Sequence, residues 1–432
     1  MKELSQVAFE LSRFPSFRHF SESRFRLSSR LGQVRDGRAN PEVGAEVVCS
    51  SIIFLGLLGL PSLLRCDQML RTFVGKSWFG RTHAVSDSTM ARSLESMTLA
   101  PVRALLQDSY LLGRSFGLSK CPVRFGKLRL GLVDGSDFGH FLASALEVLG
   151  MESFFVDLEP YPGQRTGKEL PASYALLRRN RERFGEQFVD ILMADGLYLN
   201  QPFFTLCLEE LRSDVLIKSR DFRRDLAQDA LGLFTDEAIL AEAEKSRSPS
   251  SESAVVCVEG FDTERLCAYR TLMAHGFRLA GVDAPLQVAW VRETPVYPSQ
   301  QQKLKADKKG SGFCKEGETE FLVIASSRYL SRPLDAEEMR QLAHWRWDQE
   351  NNGFKAANQR VNTKRLYSHD PHAKLALLML LLTTFNLLNL YLHQYGKSLA
   401  PFPGMKQTKV FQQDMLHIFA FVAAFGEAFH YR

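Results

Sequence analysis

Two apolar runs in the sequence end in the dipeptide Asp-Gly, with Asp134 in GLVDG and Asp195 in LMADG. Because a buried carboxylate is costly unless it is paired, each Asp is a turn residue, part of an ion pair or a metal ligand. Two carboxylates at adjacent strand ends repel each other unless a cation lies between them. Such hard oxygen ligands suit Mg²⁺ or Mn²⁺, and two ions of this kind support phosphoryl transfer.

A third acid is expected from a helix later in the chain. The segment HWRWDQENNGF offers Asp348 and Glu350, which lie about 200° apart on a helix of about 3.6 residues per turn. Arg346 shares the face of Glu350, so a surface ion pair is the alternative to a role in the site. Asp137 competes with Asp134 for the first position, and only one of them can point at the site because strand positions three apart face opposite sides.

The pattern of strands and helices indicates how these acids could meet. Runs at 128–138, 140–150 and 152–162 predict three antiparallel strands, followed by a helix at 168–185, a strand at 188–199, a helix at 200–212 and a strand at 213–222. This is the element order of the RNase H-like fold, in which the first and fourth strands are neighbours. We therefore expect an α/β protein with an RNase H-like catalytic core, a mixed five-stranded sheet flanked by helices.

The expected core is interrupted and extended by other regions. Residues 1–127 predict a helical, basic, DNA-binding N-terminal region, in which VSDSTMARSLESM begins a helix capped by Ser86 or Asp87. Residues 128–222 predict the first part of the core and 223–317 a β-rich insertion, with strands at 255–261, 265–273, 277–282 and 286–293. Residues 318–432 predict the second part, with a strand at 320–330, a long helix at 334–361 and further helices.

Charge and composition narrow the class of protein. The chain has 432 residues, 45% of them hydrophobic, which is enough for two or three cores. Residues 1–130 hold 19 Lys/Arg against 10 Asp/Glu, whereas residues 131–432 hold 35 against 39. A basic N-terminal third favours a nucleic-acid partner, with a solvated helical surface as the alternative.

Cysteine usage and hydropathy indicate the compartment. The seven cysteines are dispersed without a C-x-x-C pair, which indicates reduced thiols in a cytosol. The segment MKELSQVAFELSRF shows no h-region or cleavage site, so we do not expect secretion. Residues 375–392 are uncharged and just long enough to cross a membrane. Because they include two Thr and two Asn, and no second clear span accompanies them, a helix buried in a soluble core is the better interpretation.

The acidic motifs together resemble those of bacterial insertion-sequence DDE transposases. They are LVDGS, LMADGLY followed by VLIKSR, and HWRWDQENNGF. The similarity is greatest to the insertion sequence 4 type, which has a β-strand insertion between the second Asp and the Glu, and it covers roughly 85–430. That group carries a Tyr-x2-Arg-x3-Glu-x6-Lys signature. Arg346 and Glu350 keep its spacing, whereas Ala343 and Ala357 stand at the Tyr and Lys positions.

This resemblance implies an enzyme that moves DNA by cut-and-paste transposition. Asp134, Asp195 and Glu350 would be the catalytic residues and would hold two Mg²⁺ (or Mn²⁺) ions. The protein would bind terminal inverted repeats in double-stranded DNA, cleave the strands and join the 3′-hydroxyl ends to target DNA. It would act as a homodimer or larger synaptic complex in the bacterial cytoplasm, at the nucleoid when bound to DNA.

Basic side chains near these motifs are the expected DNA contacts. They are Arg346, Lys355, Arg360, Lys364, Lys308, Lys309, Lys218 and Arg220. Lys355, Arg360 or Lys364 could replace the signature lysine, and His344 or Tyr367 the tyrosine. Two alternatives stay open: a decayed or domesticated copy that binds DNA without cutting it, and an RNase H-like nuclease without strand transfer.

Overall fold

The computed structural model is a mixed α/β protein with one large mixed sheet and many helices. It describes residues 14–72, 78–79, 85–120, 128–161, 168–245, 255–296, 318–365 and 367–395. The side chains of residues 242–245 and 347–352, within two described helices, lie outside this description.

The described part of the N-terminal region is helical, as predicted. Its helices are α1 (Phe14–Phe20), α2 (Leu27–Leu31), α3 (Ala45–Leu58), α4 (Leu63–Leu70), α5 (Asp87–Glu95) and α6 (Leu99–Ser115), with a π-helical turn at Ser21–Phe25. Ser86 is the N-cap of α5, because its hydroxyl accepts a hydrogen bond from the Thr89 N–H at 3.1 Å. These helices share one hydrophobic core with the sheet rather than forming a core of their own.

Nine strands form the sheet. They are β1 (Leu130–Asp137), β2 (Leu142–Leu149), β3 (Ser153–Pro160), β4 (Ile191–Asp195), β5 (Asp214–Ser219), β6 (Val255–Asp262), β7 (Cys267–Phe277), β8 (Leu286–Pro295) and β9 (Thr319–Ser326). Their spatial order is β3-β2-β1-β4-β5-β9-β8-β7-β6. β1, β2 and β3 pair antiparallel, β4 lies parallel to β1 and to β5, and β9 pairs antiparallel with β5.

The sheet is larger than the five strands expected. In the first half, β3-β2-β1-β4-β5, the first and fourth strands are neighbours, as expected, but the strands of the insertion join it through β9 and continue the same sheet. Of residues 277–282, predicted as a separate strand, Phe277 ends β7 and residues 278–282 form a turn, in which the Val282 N–H donates to the Leu279 carbonyl. Residues 225–245, not predicted as helix, form α9 (Asp225–Phe234) and α10 (Glu237–Lys245).

The remaining helices cover the sheet. α7 (Glu169–Phe184) follows β3, α8 (Gln201–Thr205) continues into a π-helical segment (Leu206–Leu211), and α11 (Ala336–Val361) and α12 (Pro371–Tyr395) follow β9. The N-terminal half of α11 packs on one face of the sheet, over a cluster that includes Leu132, Met193 and Leu216. α11 starts at a capping box, in which Asp335 accepts from the Glu338 N–H and Glu338 accepts from the Asp335 N–H.

The uncharged segment 375–392 is buried inside the protein, as predicted. It belongs to α12, which by length and composition alone could cross a membrane, but every residue of its apolar window is covered by protein. Asn386, one of the polar residues in this segment, has a structural role there. Its side chain forms hydrogen bonds with both the N–H and the carbonyl of Phe155 on edge strand β3. α12 therefore covers this edge of the sheet and satisfies its backbone. A second candidate, the pair α3 and α4, is bent by 100° at its break.

Candidate active site

Asp134 and Asp195 lie just beyond the stretch over which β1 and β4 pair in parallel. Asp195 is the last residue of β4, whereas Asp134, predicted at a strand end, lies within β1, which continues to Asp137 in its hairpin with β2. β1 and β4 pair with Leu132 opposite Met193, and each Asp follows two residues later. Because neighbouring strands are about 4.8 Å apart, this register, continued for two residues, brings the two aspartates to adjacent positions. Residues two apart share a face, so both point to the side of the sheet on which Leu132 and Met193 pack beneath α11.

Asp137 has a different environment from Asp134. It is exposed at the end of β1, and its carboxylate accepts a hydrogen bond from the His140 N–H at 2.8 Å. His140 has a φ of +62° and Gly139 a φ of +72°, so Asp137 stabilises the tight β1–β2 turn. Of the two competing residues, Asp134 is therefore the one that is half-buried next to Asp195.

Asp195 also shapes the backbone after its strand. Its Oδ1 accepts a hydrogen bond from the Leu197 N–H at 2.8 Å and caps a short 3₁₀ turn, Gly196–Tyr198. This bond fixes the direction in which the chain leaves β4. The other carboxylate oxygen is thereby held in a defined orientation at the strand end.

The backbone of α11 crosses above these strand ends. On one side, the Ala343 carbonyl lies 3.5 Å from Nζ of Lys218 on β5. On the other side, Gly353 lies against the carboxyl of Glu147 on β2. Ten helical residues rise about 15 Å, which matches the width of about 14 Å from β5 across β4 and β1 to β2. Residue 350 therefore lies on the part of α11 that passes over β1, although its side chain is outside the described part.

Two further carboxyl groups lie close to the aspartates. Glu147 is 1% exposed, and neither of its oxygens accepts a hydrogen bond among the described residues. Burial, together with the nearby negative charge of Asp134, raises the pKa of Glu147 to about 8. Glu169, the first residue of α7, is half-buried, and burial together with Asp195 raises its pKa.

Glu147 and Glu169 were not predicted from the sequence. Glu147 sits in the alternating run of β2 and Glu169 at a helix start, where acids are ordinary. Their closeness to Asp134 and Asp195 depends on the strand register and on the position of α7, and a local sequence pattern gives neither. Among the described residues, no group of three or more His, Cys, Asp or Glu is arranged to hold a metal ion. The predicted third ligand, Glu350, is outside that set.

The predicted DNA contacts differ in exposure. Lys218 and Arg346 are only 8% and 5% exposed, which argues against direct phosphate contact by either. Arg360 pairs with Asn389 and lies over the Phe385 ring, so it too is engaged within the protein. Exposed positions are held by Lys355, Lys364 and Arg220, whereas Lys308 and Lys309 lie outside the described residues.

Lys218 occupies a buried, positively charged environment. Its ammonium group lies 4.0 Å from the centre of the Phe321 ring, beneath α11. Burial lowers the pKa of Lys218 to about 7; Glu293 opposes this effect, and Arg346 and Arg220 add to it. In the register of the sheet, Lys218 is directly opposite Asp195.

The signature positions around residue 350 are part of the core. Ala343 and Ala357, which stand at the Tyr and Lys positions of the signature that the sequence resembles, are fully buried. His344, one candidate for the missing tyrosine, bonds to Glu293 at 2.5 Å, and burial lowers its pKa to about 4. The hydroxyl of Tyr367, the other candidate, donates to the Leu60 carbonyl at 2.8 Å. Both side chains are therefore engaged in structural contacts.

Comparison with known proteins gives little beyond this geometry. No protein-family model matches the sequence, and no curated protein matches it. Among solved structures, the chain is similar to a piggyBac transposase in a synaptic complex with hairpin DNA, with a TM-score of 0.36 and 11% identity. The match covers 96% of this chain and 80% of that one.

Proposed function

We propose that the protein is a DNA transposase of the DDE type with an RNase H-like catalytic core. The observation that carries the proposal is the register of β1 and β4, which brings Asp134 beside Asp195 on the face crossed by α11. The order β3-β2-β1-β4-β5, with β2 antiparallel to its neighbours, is the arrangement expected of such a core. Residue 350 belongs to the stretch of α11 that passes over these strand ends.

The donor set fits a hard divalent cation. Asp134 and Asp195 are half-buried carboxylates whose mutual repulsion a cation would relieve, and Glu350 would be the third ligand. When bound, Mg²⁺ or Mn²⁺ would activate the attacking oxygen and stabilise the leaving oxygen of a phosphodiester. The chain's own carboxylates would orient these groups, and the apolar cluster beneath α11 would keep the base of the site rigid.

Double-stranded DNA is the proposed partner, with transposon ends and target DNA held by a homodimer or larger assembly. The basic excess of residues 1–130 and the exposed Lys355, Lys364 and Arg220 support a DNA-binding surface. Since the described N-terminal helices share the core of the sheet, removing residues 1–127 would unfold the protein. DNA binding is therefore better tested with surface substitutions.

The test is cleavage of DNA that carries the gene with the sequences flanking it on both sides, with supercoiled plasmid as a non-specific substrate. Purified wild-type protein is compared with Asp134→Asn, Asp195→Asn and Glu350→Gln, in Mn²⁺, in Mg²⁺ and in EDTA. Each variant should lose cleavage by on the order of 10³-fold or more, as when one member of a cooperating catalytic set is removed. DNA binding measured by fluorescence anisotropy should persist.

Asp137→Asn is the matched control, because this exposed turn residue is only three positions from Asp134. It should cleave as the wild type does. Equal loss in Asp137→Asn, or full activity in Asp134→Asn, would contradict the assignment. The second candidate function, DNA binding without cleavage, is suggested by the buried alanines at 343 and 357. Wild-type protein that binds the flanking DNA but cuts it with neither metal would establish that alternative.

A further inference from the structure

Glu169 contacts the chain next to both aspartates of the candidate site. Its Oε1 accepts a hydrogen bond from the Gly135 N–H at 3.2 Å and another from the Tyr198 hydroxyl at 2.9 Å. Gly135 immediately follows Asp134, and Tyr198 is three residues after Asp195. One carboxyl oxygen therefore joins the backbone beside the first aspartate to the turn beside the second.

The contact with Gly135 depends on the absence of a side chain there. A Cβ at residue 135 would overlap the carboxyl of Glu169 and would lie 2.7 Å from the hydroxyl of Tyr161. Tyr161 is nearly buried, and its hydroxyl also bonds to Glu169. The close approach of Glu169 to the backbone thus explains why the second glycine of GLVDG, Gly135, has no side chain.

The other half of the arrangement is held by α7. Ser173 is one turn after Glu169 on this helix, and its hydroxyl lies 2.8 Å from that of Tyr198 and 2.6 Å from that of Ser144 on β2. Ser144, Ser173 and Tyr198 are all buried. Hydrogen bonds that involve α7 and β2 therefore hold the Tyr198 hydroxyl in the position from which it donates to Glu169.

We infer that Glu169 is a positioning residue that sets the separation of Asp134 and Asp195. This inference rests on the proposed function. Two carboxylates that lie side by side repel each other, and a shared hydrogen-bond acceptor between their strand ends holds them close before a cation binds. A direct role as ligand does not fit the geometry, because the Glu169 carboxyl lies where a Cβ of Gly135 would be, and Gly135 faces the side of the sheet opposite to Asp134.

The two roles are separated by comparing Glu169→Ala, Glu169→Gln and Tyr198→Phe. Glutamine keeps a side-chain oxygen that can accept the Gly135 and Tyr198 hydrogen bonds, but it has no charge. The probe is Mn²⁺ alone, titrated calorimetrically into each full-length variant. Glu169→Ala should weaken Mn²⁺ binding by about 10- to 100-fold, Tyr198→Phe should weaken it in the same direction, and Glu169→Gln should stay within a few-fold of the wild type.

Two further measurements complete the test. The double variant Glu169→Ala/Tyr198→Phe should bind Mn²⁺ no more weakly than Glu169→Ala, since both changes remove the same connection. Glu182→Ala, an exposed residue of the same helix, is the control and should bind as the wild type does. The titration also gives the number of Mn²⁺ sites per chain, and urea unfolding of each variant is measured beside it. A folding defect would lower the number of sites, whereas displaced carboxylates would lower the Mn²⁺ affinity and leave the number of sites unchanged.

The outcomes distinguish this inference from the proposed function. Wild-type affinity in Glu169→Ala, or a loss in Glu169→Gln as large as in Glu169→Ala, would overturn the positioning role while leaving cleavage by the wild type intact. Wild-type protein that binds no Mn²⁺ would overturn both. Weak binding in the alanine variant with near-normal binding in the glutamine variant would establish Glu169 as a hydrogen-bonding clamp.

Discussion

Replacing Glu147 with Gln should change how the stability of the protein depends on pH. Glu147 is 1% exposed on β2, beneath Gly353 of α11, and its carboxyl lacks a hydrogen-bond partner among the described residues. Burial and the charge of Asp134 raise its pKa from an ordinary 4.5 to about 8. The folded protein therefore keeps a proton that the unfolded chain releases.

The sign and size of the effect follow from this difference. Between the unfolded-state pKa of about 4.5 and the folded-state pKa of about 8, the folded state binds one more proton, so the free energy of unfolding falls as pH rises. The slope approaches about 1.4 kcal/mol per pH unit in the middle of this window. Between about pH 5.5 and about pH 7, ionisation linked to Glu147 should thus lower the free energy of unfolding of the wild type by about 2 kcal/mol. Glu147→Gln should not show this decrease.

Urea unfolding followed by circular dichroism, in EDTA and at several pH values, measures this slope. The comparison uses the change with pH, because the buried amide of Gln also alters the absolute stability. Glu264→Gln, at an exposed loop residue, is the control and should keep the wild-type slope. Parallel pH profiles for the wild type and Glu147→Gln would refute the reasoning, because they would mean that Glu147 is already ionised in the folded protein.

Three other substitutions test the packing around the site. Gly353→Ala should destabilise the protein, since a Cβ there would overlap the Glu147 carboxyl and lie 2.7 Å from its Cδ, and urea unfolding should show partial rescue by Glu147→Ala. Asn386→Leu should cost about 2–5 kcal/mol in the same assay, because the N–H and carbonyl of Phe155 lose their partner; an unchanged midpoint would mean that water replaces it. Asp214→Ala should lower the unfolding midpoint by several degrees in a thermal scan, since this buried carboxylate accepts N–H bonds from residues 328, 329 and 330 at 2.7–2.9 Å. Asp214→Asn should lower the midpoint by less, because its amide oxygen can still accept hydrogen bonds. Equal effects of Ala and Asn would indicate that the charge of Asp214, rather than its acceptor oxygens, stabilises the protein.

Local patterns in the sequence were enough to predict the main elements around the candidate site. Alternating apolar runs predicted β1, β2 and β3, and the helical period predicted α7 and α11, because these patterns depend only on residues close in the chain. The apolar composition of α12 predicted burial on all sides, which the structure confirms. The second Asp-Gly pair marked the end of β4, whereas β1 continues three residues past Asp134, because its pairing with β2 is a contact that the local pattern does not give.

Long-range pairing was not encoded in any single segment. The insertion strands extend one nine-stranded sheet because β9 pairs with β5 and β8 with β9, contacts between residues about 100 and 30 positions apart in the chain. The same limit applies to Lys218, which the sequence suggested as a DNA contact and which the sheet and α11 bury. Exposure of a basic side chain depends on what packs over it, and that is a property of the tertiary structure.

The sequence by itself determined which residues could do chemistry, and the fold decided which of them meet. Asp134, Asp195 and Glu350 were candidates because of their residue types and their positions within local elements. Only the tertiary structure separated Asp134 from Asp137, brought Glu147 close through the pairing of β1 with β2, and brought Glu169 close through the position of α7. The physical reason is that a carboxylate's role depends on its distance to other charges and on its burial, and both arise when distant segments pack together.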